Sequence, residues 1–210
     1  MTKQLQEEIK RASEFENKAE ELVVKKGNCP TGDRNTPLMA YWSLAFEFHK
    51  AILSLIESQF YGAAFALVRP ILEATIRAHL VIFVNDEMLK KILGDEYRTN
   101  FKEVGKEIDT AFALEGVMDK FLTGAREALH GYTHIGSHQL GRRFSGTDLV
   151  PNYSEGEITE VIRVSTSAVF MVNNIVTKHL GWEDEWKANT DLYAEWGGDH
   201  GAPVAAGGSA

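Results

Sequence analysis

The stretch FYGAAFALVRPILEATIRAHLVIFV, residues 60–84, is the longest apolar region of the chain. Arg69, Glu73, Arg77 and His79 interrupt it, and none of its uninterrupted runs approaches the roughly 20 residues that a membrane-spanning helix needs. The stretch is therefore predicted to form a helix buried in a protein core, and no membrane partner is predicted.

Elsewhere in the chain, apolar residues recur at spacings of three and four, the period of an amphipathic helix. Glycine, proline, Asn and Asp in residues 27–37 indicate a linker-like loop. Ser154 followed by Glu157 is a capping-box signature that predicts the start of a long last helix. The predicted helices cover residues 5–26, 38–60, 62–84 with Pro70 as a kink or first turn, 86–93, 95–114, 117–130, 155–181 and a short acidic segment before residue 197.

This pattern predicts an all-α fold, a single-domain bundle of long antiparallel helices with additional short helices, over residues 1–196. No run alternates strictly between apolar and polar residues as a half-buried strand would. Residues 141–156 contain several glycines and Pro151 and are predicted to form a connection or a candidate site loop. Residues 197–210 are predicted to form a flexible tail.

The charge balance restricts the partners of the protein. The 22 Lys and Arg residues against 30 Asp and Glu residues give a net charge of −8, which argues against bulk coating of DNA but leaves a local basic site open. The only cysteine, Cys29, and the charged N-terminus favour a reducing, cytoplasmic location. No cofactor is predicted, because the chain contains neither a P-loop nor a GxGxxG pattern.

A first polar row lies within the apolar stretch. Arg69, Glu73 and Arg77 are spaced by four, so that neighbouring members share a helix face and opposite charges meet twice. Because an unpaired buried ion costs several kcal/mol, the row is expected either to line a cleft or to form a structural ladder of ion pairs between helices.

A second polar row surrounds HGYTHIGSHQLGRR, residues 130–143. Its five members are spaced by four, and the glycines between them predict that the helix bends or unwinds there. The side chains are then free to converge or to scatter. The row consists of Arg126, His130, His134, His138 and Arg142.

Three interpretations of this row remain open. His130 and His134 have the spacing of zinc ligands, with Glu73 or Glu127 as a further ligand, although a metal-free protein is expected. Alternatively, histidine acts as a general acid or base while arginine binds an anionic substrate such as a phosphodiester. In the third interpretation the histidines and Tyr132 satisfy buried hydrogen bonds in a corner between helices.

The segments LVRPILEATIRAHL (67–80) and LHGYTHIGSHQLGRR (129–143) resemble a group of uncharacterised bacterial helical proteins. That group carries an R-P-x-x-E-x-x-x-R helix followed by a Y-T-H-x-G-x-H-Q segment, and the resemblance covers most of residues 40–180. In layout it is similar to abortive-infection and HEPN-like proteins, which include metal-independent ribonucleases and nucleotide-binding modules, often dimeric and linked to phage defence. The resemblance implies a homodimer, and it draws attention to Arg69, Glu73, Arg77, Tyr132, His134 and His138.

The sequence thus predicts an intracellular site for a phosphate-bearing ligand or RNA, with HEPN-like ribonuclease activity as its strongest form. The HEPN pattern has four to six residues between Arg and His, whereas Arg126 is separated from His130 by three and from His134 by seven. The alternative is a non-enzymatic binding or interaction protein whose polar rows are structural. The candidate catalytic residues are His134, His130 and Arg126, and the candidate ligand-binding residues are Arg69, Glu73, Arg77, Tyr132, His138 and Arg142.

Overall fold

The computed structural model describes residues 1–94, 96–101, 103–132, 142–145 and 147–198, with the backbone alone for residues 126–132 and 145. Within these ranges helices dominate and a single core is formed, so the predicted all-α, single-domain fold is confirmed. The helices are α1 (Lys3–Val24), α2 (Asn35–Glu57), α3 (Tyr61–Ala66), α4 (Val68–Phe83), α5 (Asp86–Leu93), α6 (Val104–Phe112), α7 (Val117–Tyr132), α8 (Glu155–His179) and α9 (Glu183–Gly197). The strands are β1 (Phe144–Ser145) and β2 (Asp148–Leu149), which pair antiparallel.

The apolar stretch forms two helices rather than the one predicted. α3 and α4 are joined at Leu67. Pro70, predicted to mark either a kink or a first turn, lies in the first turn of α4. In a first turn the backbone amide has no partner within the helix, so the missing N–H of proline costs no hydrogen bond there.

α4 lies in the core between α2 and α8. Of its sixteen residues, ten are buried, among them Ile71, Leu72 and Ile76. Full burial of each such aliphatic side chain stabilises the fold by about 1.5–3 kcal/mol. α4 is thus held on two faces, and a polar residue along it occupies either the remaining face or a partnered position in the core.

The long helices α2 and α4 run antiparallel, as predicted. The Arg34 side chain at the start of α2 donates to the carbonyl of Val81 near the end of α4, over 2.8 Å. α1 and α8 instead run parallel, although they come from opposite ends of the sequence. Their N-terminal parts lie together, since Arg163 pairs with Glu8 at 3.0 Å and Thr2 contacts Glu155.

Two segments differ from the prediction. The helix predicted over residues 95–114 is confined to α6, since residues 96–100 form neither helix nor strand and Ala113 ends α6 in the left-handed conformation with φ of 53°. The predicted loop 141–156 contains the hairpin β1–β2, whose strands of two residues each are too short to produce an alternating pattern.

Both predictions for the C-terminal part are confirmed. Ser154 accepts a hydrogen bond from the amide of Glu157, and the Glu157 carboxylate accepts one from the amide of Ser154 at 2.9 Å, which is the predicted capping box. The acidic segment after residue 181 forms α9. Residues 199–210 of the predicted tail lie outside the described residues.

Candidate functional site

The first two members of the first polar row, Arg69 and Glu73, lie at the surface near the N-terminal end of α4. Arg69 Nε donates to Glu73 Oε1 over 2.8 Å, which confirms the first of the two predicted ion pairs. The two side chains are 46% and 32% exposed, and the Arg69 guanidinium lies 5.7 Å from the centre of the Phe101 ring. Such an exposed pair contributes no more than about 1 kcal/mol to stability, so Arg69 is available to a ligand at little cost to the fold.

Arg77 has a different environment from Arg69. Its guanidinium donates to the carbonyl of Ile92 at 3.1 Å and to that of Tyr97 at 3.5 Å. Ile92 lies in the last turn of α5, where carbonyl groups lack partners within the helix. Arg77 therefore fastens α5 and the following segment to α4, and the second predicted pair, Glu73 with Arg77, is not among the contacts of the described residues.

The last member of the second row, Arg142, packs against α3 and α8. Its Nη2 lies 2.5 Å from Oε1 of Glu157 in the first turn of α8. The guanidinium lies 5.9 Å from the ring centre of Phe65 and 5.7 Å from that of Tyr153, in the range of cation–π contacts. Arg142 thus connects the hairpin to two helices.

The hairpin reaches α3 at Gly62. A Cβ atom on this glycine would lie 2.9 Å from Oη of Tyr153 and 3.0 Å from Nη2 of Arg143. The Tyr153 ring packs on Phe65 with ring centres 5.1 Å apart. The absence of a side chain at position 62 therefore permits the close approach, and it brings the exposed Arg143 to the same side of α3 as Arg142.

Most side chains of the second row lie outside the described part of the chain. His134 and His138 lie outside the described residues, and for Arg126, His130 and Tyr132 only the helical backbone of α7 is described. That α7 contacts both α3 and α4 is nevertheless established. The convergence of the two rows on one cavity stays a prediction.

The zinc interpretation also stays a prediction. Among the described residues, no group of three or more His, Cys, Asp or Glu side chains could hold a metal ion. Glu73, one of the two proposed carboxylate ligands, is engaged by Arg69 at 2.8 Å. The side chains of the three histidines of the second row lie outside the described part of the chain.

Two histidines that were not predicted as site residues are buried in the core. Burial lowers the pKa of His49 to about 3 and that of His79 to about 4, so both are neutral at pH 7. His49 Nδ1 is 2.9 Å from Oγ of Ser165, and His79 Nδ1 is 2.8 Å from the carbonyl of Thr75. Both histidines occupy apolar faces of their helices, so the spacing of three and four in the surrounding apolar residues could have indicated their burial. The role of both histidines is structural.

A cavity of about 130 Å³ lies between α7, α8 and α9. Its polar groups already have partners, since Ser167 Oγ and Tyr193 Oη are 2.8 Å apart and Arg163 pairs with Glu8. Of the predicted site residues whose side chains the structure describes, none lines it. The lining consists of Val117, Phe121, Arg163, Val164, Ser167, Phe170, Met171 and Tyr193.

These features define an α-helical bundle protein with arginines on α4 (Arg69) and beside α3 (Arg142 and Arg143), which we call the arginine-bearing surface. In the described part of the chain, no helix is both long and apolar enough to cross a membrane. The chain belongs to a family of unknown function, DUF6988, which matches residues 42–195 and so includes every element from α3 to α8. No curated protein and no solved structure matches the chain. The predicted similarity to HEPN-like proteins is not addressed by the family match and stays a prediction.

Proposed function

We propose that the protein binds a phosphate-bearing ligand, a nucleotide or RNA, on the surface formed by α3, the start of α4 and the hairpin. The observation that carries this proposal is the position of Arg142. Its guanidinium lies 5.9 Å from the ring centre of Phe65 near the end of α3, and α4, which carries Arg69, begins directly after Leu67.

The chemistry of Arg69 supports the same surface. Only its Nε is used by Glu73, whereas a guanidinium carries five N–H donors in a planar fork that matches phosphate oxygens. With the side chain 46% exposed, the remaining donors face water or an incoming anion. Arg143, also exposed, adds a further cation beside Gly62.

In the stronger form of this proposal the protein is a HEPN-like ribonuclease linked to phage defence. His134 acts as general acid or base, with His130 and Arg126 beside it, while the arginines stabilise charge that develops on the phosphate. Tyr132 and His138 complete the ligand site. Support for this form comes from the sequence, because the segment between Tyr132 and Arg142 joins α7 to the arginine-bearing surface.

Binding is measured with a fluorescently labelled single-stranded RNA of twelve nucleotides and with tripolyphosphate as competitor, across several salt concentrations. Arg69→Gln should weaken binding of both and lower the slope of log affinity against log salt by about 0.7 for the lost contact. Lys18→Gln, which removes one exposed positive charge on α1, is the matched control and should leave both unchanged. Equal losses in the two variants, or no binding by the wild-type chain, would refute the proposal.

Catalysis is tested at His134. Loss of RNA cleavage in both His134→Ala and His134→Gln, with an unchanged unfolding midpoint, would support a catalytic role. If both variants instead lose several kcal/mol of stability, as expected for a broken buried network, the histidine is structural and the ribonuclease proposal fails.

A second function is favoured by the contacts of Arg77 and Arg142. Both arginines hold elements together, which is what a non-enzymatic interaction protein with structural polar rows requires. In that case Arg77→Ala should lower stability, and no arginine variant should change RNA binding. The proposed homodimer is a separate matter, decided by light scattering during size-exclusion chromatography, in which a monomer would give a mass near 23.4 kDa.

A further inference from the structure

Exposed apolar side chains concentrate beside the arginine-bearing surface. Phe60, just before α3, is 64% exposed, and Phe144 in β1 is 48% exposed. Leu149, the cross-strand partner of Phe144, is 73% exposed, and Val150 is 43% exposed. Together these four side chains form what we call the hairpin patch. Such a concentration of apolar surface is characteristic of a binding site.

The hairpin patch and the arginines are held in one place by the packing at Gly62. Phe60 lies two residues before Gly62, which is in close contact with the side chains of Tyr153 and Arg143. Arg143 is followed directly by Phe144. One exposed aromatic ring, Phe144, therefore follows Arg143 directly in the sequence, and another, Phe60, lies two residues before the glycine that the Arg143 guanidinium approaches.

We infer that the ligand of this surface is a single-stranded nucleic acid, with unpaired bases stacking on Phe60 and Phe144 and with phosphates bound by the neighbouring arginines. This inference rests on the proposed phosphate site and narrows its ligand. Exposed aromatic rings beside basic side chains are how proteins bind single strands, because every base has a face that stacks and every nucleotide carries a charge. A free phosphate group would make no use of the rings.

Two other occupants fit the charges less well. In a symmetric dimer this patch would meet itself, which would bring Arg143 of one copy toward Arg143 of the other. An anionic membrane would face a wide area of a protein whose net charge is −8, whereas a single strand can contact Arg143 and the two rings without approaching the rest of the surface.

The experiment compares substitutions at Phe144 that separate stacking from apolar contact. Phe144→Tyr retains an aromatic face, Phe144→Leu retains apolar bulk, and Phe144→Ala retains neither. Binding of the labelled twelve-nucleotide single strand should be kept by Phe144→Tyr and weakened about tenfold by Phe144→Leu and Phe144→Ala, the loss expected for one stacked base. Leu44→Ala, at an exposed apolar position on α2, is the control and should bind as the wild type does.

The competitor separates this inference from the proposed function. Tripolyphosphate affinity should depend on Arg69 and be the same in all Phe144 variants. If single-strand binding is unaffected by Phe144→Ala while Arg69→Gln weakens both ligands, the stacking inference is overturned and the phosphate site stands. If neither ligand binds, both are overturned. Sedimentation with anionic phospholipid vesicles provides the last comparison: vesicle binding that is lost in Phe144→Ala but kept in Phe144→Leu, without single-strand binding, overturns the inference in favour of a membrane surface.

Discussion

Glu16 allows the electrostatics of the core to be tested quantitatively. This carboxyl group is 2% exposed where α1 packs on α2. Lys50 Nζ lies 3.5 Å from Glu16 Oε1 but 2.8 Å from both carboxylate oxygens of Glu20. Lys50 therefore pairs more closely with Glu20 than with the buried Glu16. Burial raises the pKa of Glu16 from 4.5 to about 7, and the attraction of Lys50 only partly offsets it.

The sign of the effect on stability follows from proton binding. Between pH 4.5 and about 7 the folded protein holds a proton on Glu16 that the unfolded chain has released. Stability contributed by the neutral carboxyl is therefore lost as the pH rises through about 7. A rise of this size corresponds to roughly 3 kcal/mol in full, and to about 2–3 kcal/mol between pH 5 and pH 8.

Glu16→Gln replaces the carboxyl with a neutral group of the same shape. The free energy of unfolding of this variant minus that of the wild type should increase by about 2–3 kcal/mol from pH 5 to pH 8, as measured by urea denaturation. Other titrations cancel in the difference. Glu20→Gln, which removes an exposed partner of Lys50, should cost no more than about 1 kcal/mol at either pH. A Glu16→Gln difference that is constant over this range would refute the reasoning.

Three further results are expected. In the Glu16→Gln variant, which lacks the opposing titration of Glu16, stability should rise from pH 5 to about 6.5 in a urea titration, because His49 and His79 have lowered pKa values when folded and the unfolded chain takes up protons below 6.5; a profile that falls over this interval would contradict their burial as neutral groups. Asn173→Ala should cost about 2–4 kcal/mol in the same assay, since its buried amide bonds to an indole of α2, a carbonyl of α1 and an amide of α9; a loss below 1 kcal/mol would show that the network is replaceable. Gly62→Ala should cost about 1–3 kcal/mol and weaken RNA binding, since the new methyl group would lie 2.9 Å from the Tyr153 hydroxyl; unchanged values of both would show that the hairpin does not rest on α3.

The helices were largely predictable because their apolar periodicity is local. The predicted helix at 86–93 coincides with α5, and the capping box gave the start of α8. Residues 95–114 were wrongly predicted as one helix. Residues 96–100 form neither helix nor strand, and Arg77 of α4 donates there to the carbonyl of Tyr97. That contact joins residues twenty positions apart, so no local pattern could reveal it.

The sequence could predict which residues belong to the candidate site but not what each one does, because residues with the same spacing of four have different roles in the fold. Arg69 and Arg77 are equivalent in the sequence row, each four residues from Glu73. In the fold, α5 ends beside Arg77 and leaves Arg69 at the surface. The difference arises from the chain turning back after α4, and a helical period contains no information about that turn.

Glu157 shows how a local signal can determine the position of a tertiary contact. Its Oε2 accepts hydrogen bonds from the amide and hydroxyl of Ser154 at 2.9 and 2.8 Å, and its Oε1 accepts one from Arg142 at 2.5 Å. Burial acts to raise the pKa of Glu157, but these hydrogen bonds hold that pKa below its ordinary value. The carboxylate that caps α8 is therefore the same one that orients Arg142 over Phe65. Since the position of the hairpin depends on this cap, the arginine-bearing surface is coupled to the stability of the first turn of α8, and a change at Ser154 would reach a ligand on that surface without touching it.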